Sequence, residues 1–142
     1  MLLIAHRGNT SGPSPWENEP DHVRKTLQQG YQVEVDVWYK HGLLLMGHDH
    51  GRYLTPPDLL DNTSIWWHCK NVEALEYLMI KGVICFFHHS DEAVLTSNGY
   101  LWTMPGGVLT KSSIAVMPET VDGWNVKYCA GICTDHIQRY SQ

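Results

Sequence analysis

Residues 31–37 read Tyr-Gln-Val-Glu-Val-Asp-Val, and this stretch decides the fold. Its strict alternation predicts a β-strand with three valines on one face and Glu34 and Asp36 on the other. Taken alone, the pattern also fits an ordinary strand with one polar, half-exposed face. If the carboxylates face inward among apolar residues, they are costly unless a cation or hydrogen bonds compensate their charge. The stretch therefore points to a polar site built on a buried strand.

Six other short apolar runs lie on either side of this strand, and each is followed by polar or reactive residues. Runs of this length and composition predict strands that are buried on both faces, as in a parallel sheet. They cover residues 2–5, 64–69, 83–87, 100–104, 114–117 and 129–133. Helical patterns occupy residues 21–29 and 71–81, and residues 91–96 are expected to form a helical turn or two. The alternation indicates an α/β domain with its functional groups at the carboxyl ends of the strands.

The second half of the chain is short for such a fold. The last predicted strands begin near residues 100, 114 and 129, so the intervals are 114 − 100 = 14 and 129 − 114 = 15 residues. A parallel crossover normally needs about a dozen residues or more beyond the strand itself. We therefore expect reduced connections there, with an eighth strand either within residues 121–127 or absent.

Composition limits the classes of protein. The 142 residues suit a single domain spanning 1–142, and 43% hydrophobic residues with 11% aromatics exclude a disordered chain. Ten basic and fifteen acidic residues give 10 − 15 = −5, which argues against binding nucleic acid. The apolar run at residues 1–5 is cut by His6 and Arg7, so neither a membrane span nor a secretory signal is expected. These features favour a cytoplasmic protein.

Several ordered motifs carry a resemblance to a known family. The pattern resembles the opening of glycerophosphodiester phosphodiesterases, within the broader class of phosphatidylinositol-specific phospholipase C-like phosphodiesterases. The matching pieces are His6-Arg7-Gly8, Glu17-Asn18, Glu34-x-Asp36-Val37, a short hairpin at 40–46, His48-Asp49 and Lys70. The resemblance is dense over residues 2–70 and thin afterwards, where only residues 131–135 resemble the family's closing strand.

The resemblance implies a fold and a set of roles. The fold is a compact (β/α) barrel of the triosephosphate-isomerase type, with some outer helices shortened or missing because 142/8 ≈ 18 residues per unit is well below the usual size. Bare barrel flanks would favour a homo-oligomer. The implied roles are His6 and His48 as general acid and base, Arg7 and Lys70 as phosphate ligands, and Glu34 and Asp36 as ligands of a divalent metal. Histidine suits proton transfer near neutral pH, and oxygen ligands suit Mg²⁺ or Ca²⁺.

One position departs from the family pattern. The family has Glu-x-Lys at the end of the third strand, where this chain has His68 before Lys70. If His68 is a metal ligand, Mn²⁺ or Zn²⁺ is favoured over Mg²⁺ or Ca²⁺. Glu119 and His88 are alternative ligands. Two functions remain open: a metal-dependent phosphodiesterase acting on a small glycerophosphodiester-like substrate, or a non-catalytic phosphoryl-binding or structural domain derived from that family.

Overall fold

The structure, a computed structural model, describes residues 1–142 as one sheet with three α-helices against it. The strands are β1 (Leu2–His6), β2 (Gln32–Lys40), β3 (Leu43–Met46), β4 (Tyr53–Leu54), β5 (Ile65–Cys69), β6 (Cys85–Phe87), β7 (Ala93–Leu95), β8 (Leu101–Thr103), β9 (Ser113–Val116) and β10 (Gly131–Thr134). The α-helices are α1 (Pro20–Gln28), α2 (Pro57–Leu60) and α3 (Val72–Lys81), and short 3-10 helices cover Pro118–Thr120 and Ile137–Tyr140. None of the helices is long and apolar enough to cross a bilayer.

Seven strands run parallel in the order β6-β5-β2-β1-β10-β9-β8. Strand β7 pairs antiparallel with β8, and the β3–β4 hairpin pairs antiparallel with the carboxyl-terminal half of β2. The carboxyl ends of the parallel strands therefore meet at one rim. This arrangement brings the polar residues at the strand ends together.

The expected (β/α) barrel of the triosephosphate-isomerase type is wrong. The ten strands form one mixed sheet, of which eight make up a curled half-barrel, and there are only three α-helices. Cys85 of β6 and Ser97, which follows β7, exchange hydrogen bonds of 2.9 and 2.8 Å, but no strand ladder closes the sheet. The physical reason lies in the short intervals of the second half. They hold loops and 3-10 turns between parallel strands, where a full barrel would place crossover helices.

Individual elements agree better with the sequence. All seven predicted parallel strands are present, as are the helices expected over 21–29 and 71–81. Pro20 begins α1, and the Asn71 side chain caps α3 by accepting a hydrogen bond from the backbone N–H of Ala74. The helical turn expected at residues 91–96 is wrong, because Ala93–Leu95 is an edge strand. Residues 121–127 contain no strand.

Apolar packing divides between the two faces of the curled sheet. Helices α1 and α3 cover the outer face of β2 and β5. The concave interior is filled by buried side chains that belong to seven strand positions: Ile4, Trp66, Phe86, Trp102, Ile114, Val116 and Cys133. The Phe86 and Trp102 rings lie 4.4 Å apart by their centroids. This aromatic packing forms the floor beneath the rim where the polar residues gather.

Candidate functional site

A cavity of about 280 Å³ opens at the carboxyl-terminal rim of the sheet. Trp102 and Val116 contribute to its apolar floor. The polar side chains that line it come from β1, β2 and β5, from the residues that directly follow β1 and β5, and from the loops after β3 and β6: His6, Arg7, Glu34, His48, His68, Lys70, His88 and His89. Of the residues predicted for the site, only Asp36 is missing from this lining, and it contacts His68 and Arg7 just behind the wall.

Strand register explains why the central residues meet. His6 of β1 is paired with Glu34 of β2, and Asp36 of β2 is paired with His68 of β5. Paired residues of neighbouring parallel strands point to the same face of a sheet. Because side chains alternate between the two faces of a strand, Glu34 and Asp36 point to the face opposite the valines. All four side chains therefore point to the concave rim.

Glu34, Asp36 and His68 form a buried cluster in which the ligand atoms lie within 4.8 Å of one another. Nδ1 of His68 is 3.1 Å from Oδ1 of Asp36 and 3.5 Å from Oε1 of Glu34. Both carboxylate side chains are about 1% exposed, and these two oxygens have no hydrogen-bond partner. Unpartnered buried carboxylate oxygens beside an imidazole nitrogen fit a cation, so this cluster can hold a metal ion.

The charge of His68 responds to the same contacts. Burial alone lowers the pKa of His68, but its contacts with Asp36 and Glu34 outweigh burial and raise that pKa to about 9. Burial likewise raises the pKa of Asp36, and His68, Arg7 and Asn18 together hold it well below the usual range. In the metal-free protein a protonated His68 therefore neutralises part of the carboxylate charge.

Arg7 and Asn18 both contact Oδ2 of Asp36, while His68 contacts Oδ1. The Arg7 guanidinium Nε lies 3.0 Å from Oδ2 of Asp36, and its Nη1 donates a 3.0 Å hydrogen bond to Oε2 of Glu17. Asn18 donates from Nδ2 to Oδ2 of Asp36 and accepts the Asp36 backbone N–H at 2.9 Å. Both Arg7 and Asn18 adopt left-handed backbone conformations, with φ of 54° and 63°. Such conformations are uncommon outside glycine, and here they turn the chain toward the cluster.

His6 is held by a carboxylate that sequence reasoning did not identify. Nδ1 of His6 donates to Oδ1 of Asp135 at 2.8 Å, while Nε2 lies 3.8 Å from Oε2 of Glu34. Burial lowers the pKa of His6, but Asp135 and Glu34 outweigh burial and raise it overall. Because an ionised carboxylate only accepts hydrogen bonds, Nδ1 carries the proton and Nε2 is the nitrogen that exchanges one.

Asp135 is itself positioned by neighbours from distant parts of the chain. Asn9 donates from Nδ2 to Oδ1 of Asp135 at 2.8 Å, and the backbone N–H of Asp135 lies 3.3 Å from Oε1 of Glu119. Burial raises the pKa of Asp135, but His6 and Asn9 outweigh it and leave the pKa below its usual value. The sequence signals for Asp135 were its place directly after the last predicted strand and the resemblance of residues 131–135 to the family's closing strand, and neither assigned it a role.

His48 and Lys70 complete the rim from two different loops. The His48 side chain is 42% exposed, and its Nδ1 lies 2.7 Å from Oδ1 of Asp49, which leaves Nε2 free. Lys70 directly follows β5, and its backbone N–H donates to the carbonyl of Val37 at 2.8 Å. Lys70 takes part in no ion pair, so its ammonium group is free to meet an anion in the cavity.

The two alternative ligands lie outside the cluster of Glu34, Asp36 and His68. Oε1 of Glu119 accepts a 2.7 Å hydrogen bond from Oγ1 of Thr134, and Glu119 does not belong to the cluster. The His88 ring stacks on His68 with their centroids 5.4 Å apart. Burial and the positive charges of His68 and Lys70 lower the pKa of His88. His88 therefore forms part of the cavity wall as a neutral imidazole.

Comparisons with known proteins give no relative: no protein-family model, no curated protein and no solved structure matches this chain. The chemistry of the site therefore rests on its own residues and distances.

Proposed function

We propose that this protein is a metal-dependent phosphodiesterase that cleaves a small glycerophosphodiester-like substrate by two-histidine general acid–base catalysis. The observation that carries the proposal is that His6, His48, Arg7 and Lys70 line one cavity, beside a buried cluster suited to a metal. The pieces of sequence that resemble glycerophosphodiester phosphodiesterases supply these same residues.

The acid–base roles follow from the hydrogen bonds of the histidines. His6 and His48 each have Nδ1 engaged by a carboxylate, of Asp135 and Asp49 respectively, so each presents Nε2 to the exchange of protons. Phosphodiester cleavage requires removal of a proton from the attacking oxygen and delivery of one to the leaving oxygen. One histidine accepts the proton of a substrate hydroxyl adjacent to the phosphate while the oxygen of that hydroxyl forms a bond to phosphorus. The other protonates the leaving alkoxide as its bond to phosphorus breaks.

Charge compensation in this proposal comes from three directions. Glu34, Asp36 and His68 would hold the divalent ion, and the ion would supply positive charge to the phosphoryl oxygens. Lys70 reaches the phosphate from the β5 side. Arg7 contributes from the β1 side while it keeps its ion pairs with Asp36 and Glu17. With two carboxylates and an imidazole as ligands, Mn²⁺ or Zn²⁺ suits the cluster better than Mg²⁺ or Ca²⁺.

A phosphoryl-binding domain without turnover is the second candidate. It is favoured by His68, which stands where the resembling family has a metal carboxylate, and by the engagement of Arg7 with two carboxylates. A domain of this kind would bind a phosphate ester through Lys70 and Arg7 and leave it intact.

A hydrolysis assay across metals separates the two candidates. The metal-free protein is supplied with Mn²⁺, Zn²⁺, Mg²⁺ or Ca²⁺ and assayed on glycerophosphocholine, whose glycerol hydroxyl lies next to the phosphate. Bis(p-nitrophenyl) phosphate, which has no such hydroxyl, serves as the control substrate. The enzyme proposal expects turnover that EDTA abolishes and that is highest with Mn²⁺ or Zn²⁺. Saturable binding of a phosphate ester, with no hydrolysis under any metal, would leave the binding-domain candidate.

A further inference from the structure

A second polar cavity of about 190 Å³ adjoins the first one. Arg7 and His48 line both cavities, so a group attached to a phosphate between these two residues enters the second. A cavity of about 190 Å³ suits a small polar substituent.

The acidic side chains of the second cavity are already paired. Glu17 accepts hydrogen bonds from Nη1 of Arg7 and Nδ2 of Asn9, and Asp49 contacts Nδ1 of His48. Arg52, which lines the same cavity, has no carboxylate within 4.0 Å and no side-chain hydrogen bond. Its guanidinium lies 5.4 Å from the centre of the Tyr53 ring. The cavity thus has one positive charge without a partner.

The backbone beneath Arg52 is fixed to the metal-bearing strand. The backbone N–H of Arg52 donates to the carbonyl of Met46 at 2.9 Å, and Gly47 donates its N–H to the carbonyl of Asp36 at 3.0 Å. The Trp38 indole N–H in turn donates to the Gly47 carbonyl at 3.0 Å. The loop that carries Arg52 is therefore held in register with the cluster.

We propose that the second cavity binds a carboxylate or phosphate group on the substrate's alcohol and that Arg52 is the residue that recognises it. A guanidinium presents a planar set of donors that matches both anions, and a charge-assisted pair of this kind is stronger than a neutral hydrogen bond. The inference rests on the proposed function, because it takes the first cavity as the site of the esterified phosphate. It deepens that function by assigning an anionic alcohol to the substrate.

Binding of three phosphate esters with the same chain length tests the assignment. Butyl phosphate has a neutral end, 4-phosphooxybutyrate ends in a carboxylate, and 1,4-butanediol bisphosphate ends in a second phosphate. Their affinities are measured by titration calorimetry on the metal-loaded wild type, on Arg52→Gln and on Arg139→Gln. Arg139 is exposed and lies far along the chain in the last 3-10 helix, so its variant removes the same charge outside the cavity.

We expect the wild type to bind at least one charged-end ester about 10-fold more tightly than butyl phosphate, which is the scale of one charge-assisted contact. In Arg52→Gln the affinity for the charged-end ester should be within about twofold of the affinity for butyl phosphate. In Arg139→Gln the ratio of these two affinities should equal that of the wild type. The charged end with the larger ratio identifies the carboxylate or the phosphate as the natural group. A ratio near one in the wild type, or an unchanged ratio in Arg52→Gln, would overturn the assignment.

Turnover is not needed for this measurement. Absence of diester hydrolysis with a retained, Arg52-dependent ratio would contradict the enzyme proposal and leave the anionic pocket standing. Failure of all three esters to bind would show that the pocket assignment is wrong, whether or not diesters are hydrolysed.

Discussion

Nδ1 of His6 lies 2.8 Å from Oδ1 of Asp135, although 129 positions separate the two residues in the sequence. The contact joins the end of the first strand to the residue that follows the last one. It fixes the tautomer of His6 and turns Nε2 toward Glu34. The orientation of the proposed acid–base residue therefore depends on a partner from the other end of the chain.

The His6–Asp135 pair should make stability depend on pH in a defined window. Because the folded pKa of His6 is raised, its contribution is complete below about pH 6.5 and is lost as the pH rises through the folded value. Because the folded pKa of Asp135 is lowered, its contribution is present above about pH 4 and is lost in more acidic solution. The free energy of unfolding of the wild type should exceed that of Asp135→Asn most between about pH 4 and 6.5. Urea titrations across pH 4–9 measure the difference, and a difference that grows above pH 8 would contradict it.

Removal of either proposed acid–base histidine should slow the reaction. His6→Ala and His48→Ala should each lower kcat by about 10²-fold, the usual scale for general acid–base assistance. Their stabilities should differ: His6→Ala leaves the Asp135 carboxylate short of a donor and should cost about 1–3 kcal/mol, whereas exposed His48 should cost under about 0.5 kcal/mol. His41→Asn, at an exposed turn, is the matched control. Full activity in either alanine variant would exclude that histidine from proton transfer.

Metal binding should stabilise the folded protein. Mn²⁺ or Zn²⁺ should raise Tm more than Mg²⁺ at equal concentration, because an ion that binds only the folded state shifts unfolding by mass action. Glu34→Gln should abolish the shift, and Glu73→Gln on exposed α3 should leave it intact. His68→Glu should change the preference toward Mg²⁺ or Ca²⁺. A Tm that no divalent ion moves would rule out the metal centre.

Metal affinity should rise with pH. The pKa of His68 is about 9 in the metal-free protein, so an ion that binds Nδ1 must displace a proton at neutral pH. Apparent affinity for Zn²⁺ or Mn²⁺ should increase by up to tenfold per pH unit between about pH 6 and 8. In His68→Glu this slope should be much smaller over the same range. Calorimetry in buffers of different ionisation enthalpy counts the released protons directly.

Replacement of Gly47 by a residue with a side chain should destabilise the folded protein. Its φ is 150°, and a Cβ atom at this position would overlap the backbone oxygen of His50. Gly47→Ala should cost about 1–3 kcal/mol and should lower activity by displacing His48. Gly42→Asn is the control, because Gly42 has a left-handed φ of 76° with open space around it, which asparagine tolerates. Equal stability of the two variants would contradict the close contact in the loop.

Local sequence patterns identified most of the strands and helices, but they did not show whether the sheet closes into a barrel. Alternation over residues 31–37 predicted the strand and the common face of Glu34 and Asp36, because a period of two is a property of the backbone. It did not decide whether that face is buried or half-exposed. Strand β7 has only three residues, which is too few to show such an alternation. Ser90, which precedes it, resembles the first residue of a helix, so the sequence favoured a helical turn there. Barrel closure depends on the connections as well as the strands, and the short intervals of the second half do not provide the crossover helices.

The residues of the site also differ in whether a local sequence pattern identifies them. His68 stood out in the sequence because it shares a strand face with Lys70 and replaces an expected carboxylate. Asp135 and Asn9 did not stand out, because Asp135 contacts His6 and Asn9 only across nearly the whole length of the chain. Pairing between β1 and β10 creates those contacts, and no pattern within a single strand encodes them.

The pairing of β1 with β10 also orders the events of folding. Leu2 lies opposite Gly131 in this ladder, so the central strand of the sheet gains its second neighbour only after nearly the whole chain has been synthesised. Contacts of such long sequence separation slow folding, because a large loop must close before they form. The acidic residues of β2 and His68 of β5 belong to a unit that a shorter nascent chain already contains. A growing polypeptide therefore contains Glu34, Asp36 and His68 well before Asp135, the residue that orients His6, has been added.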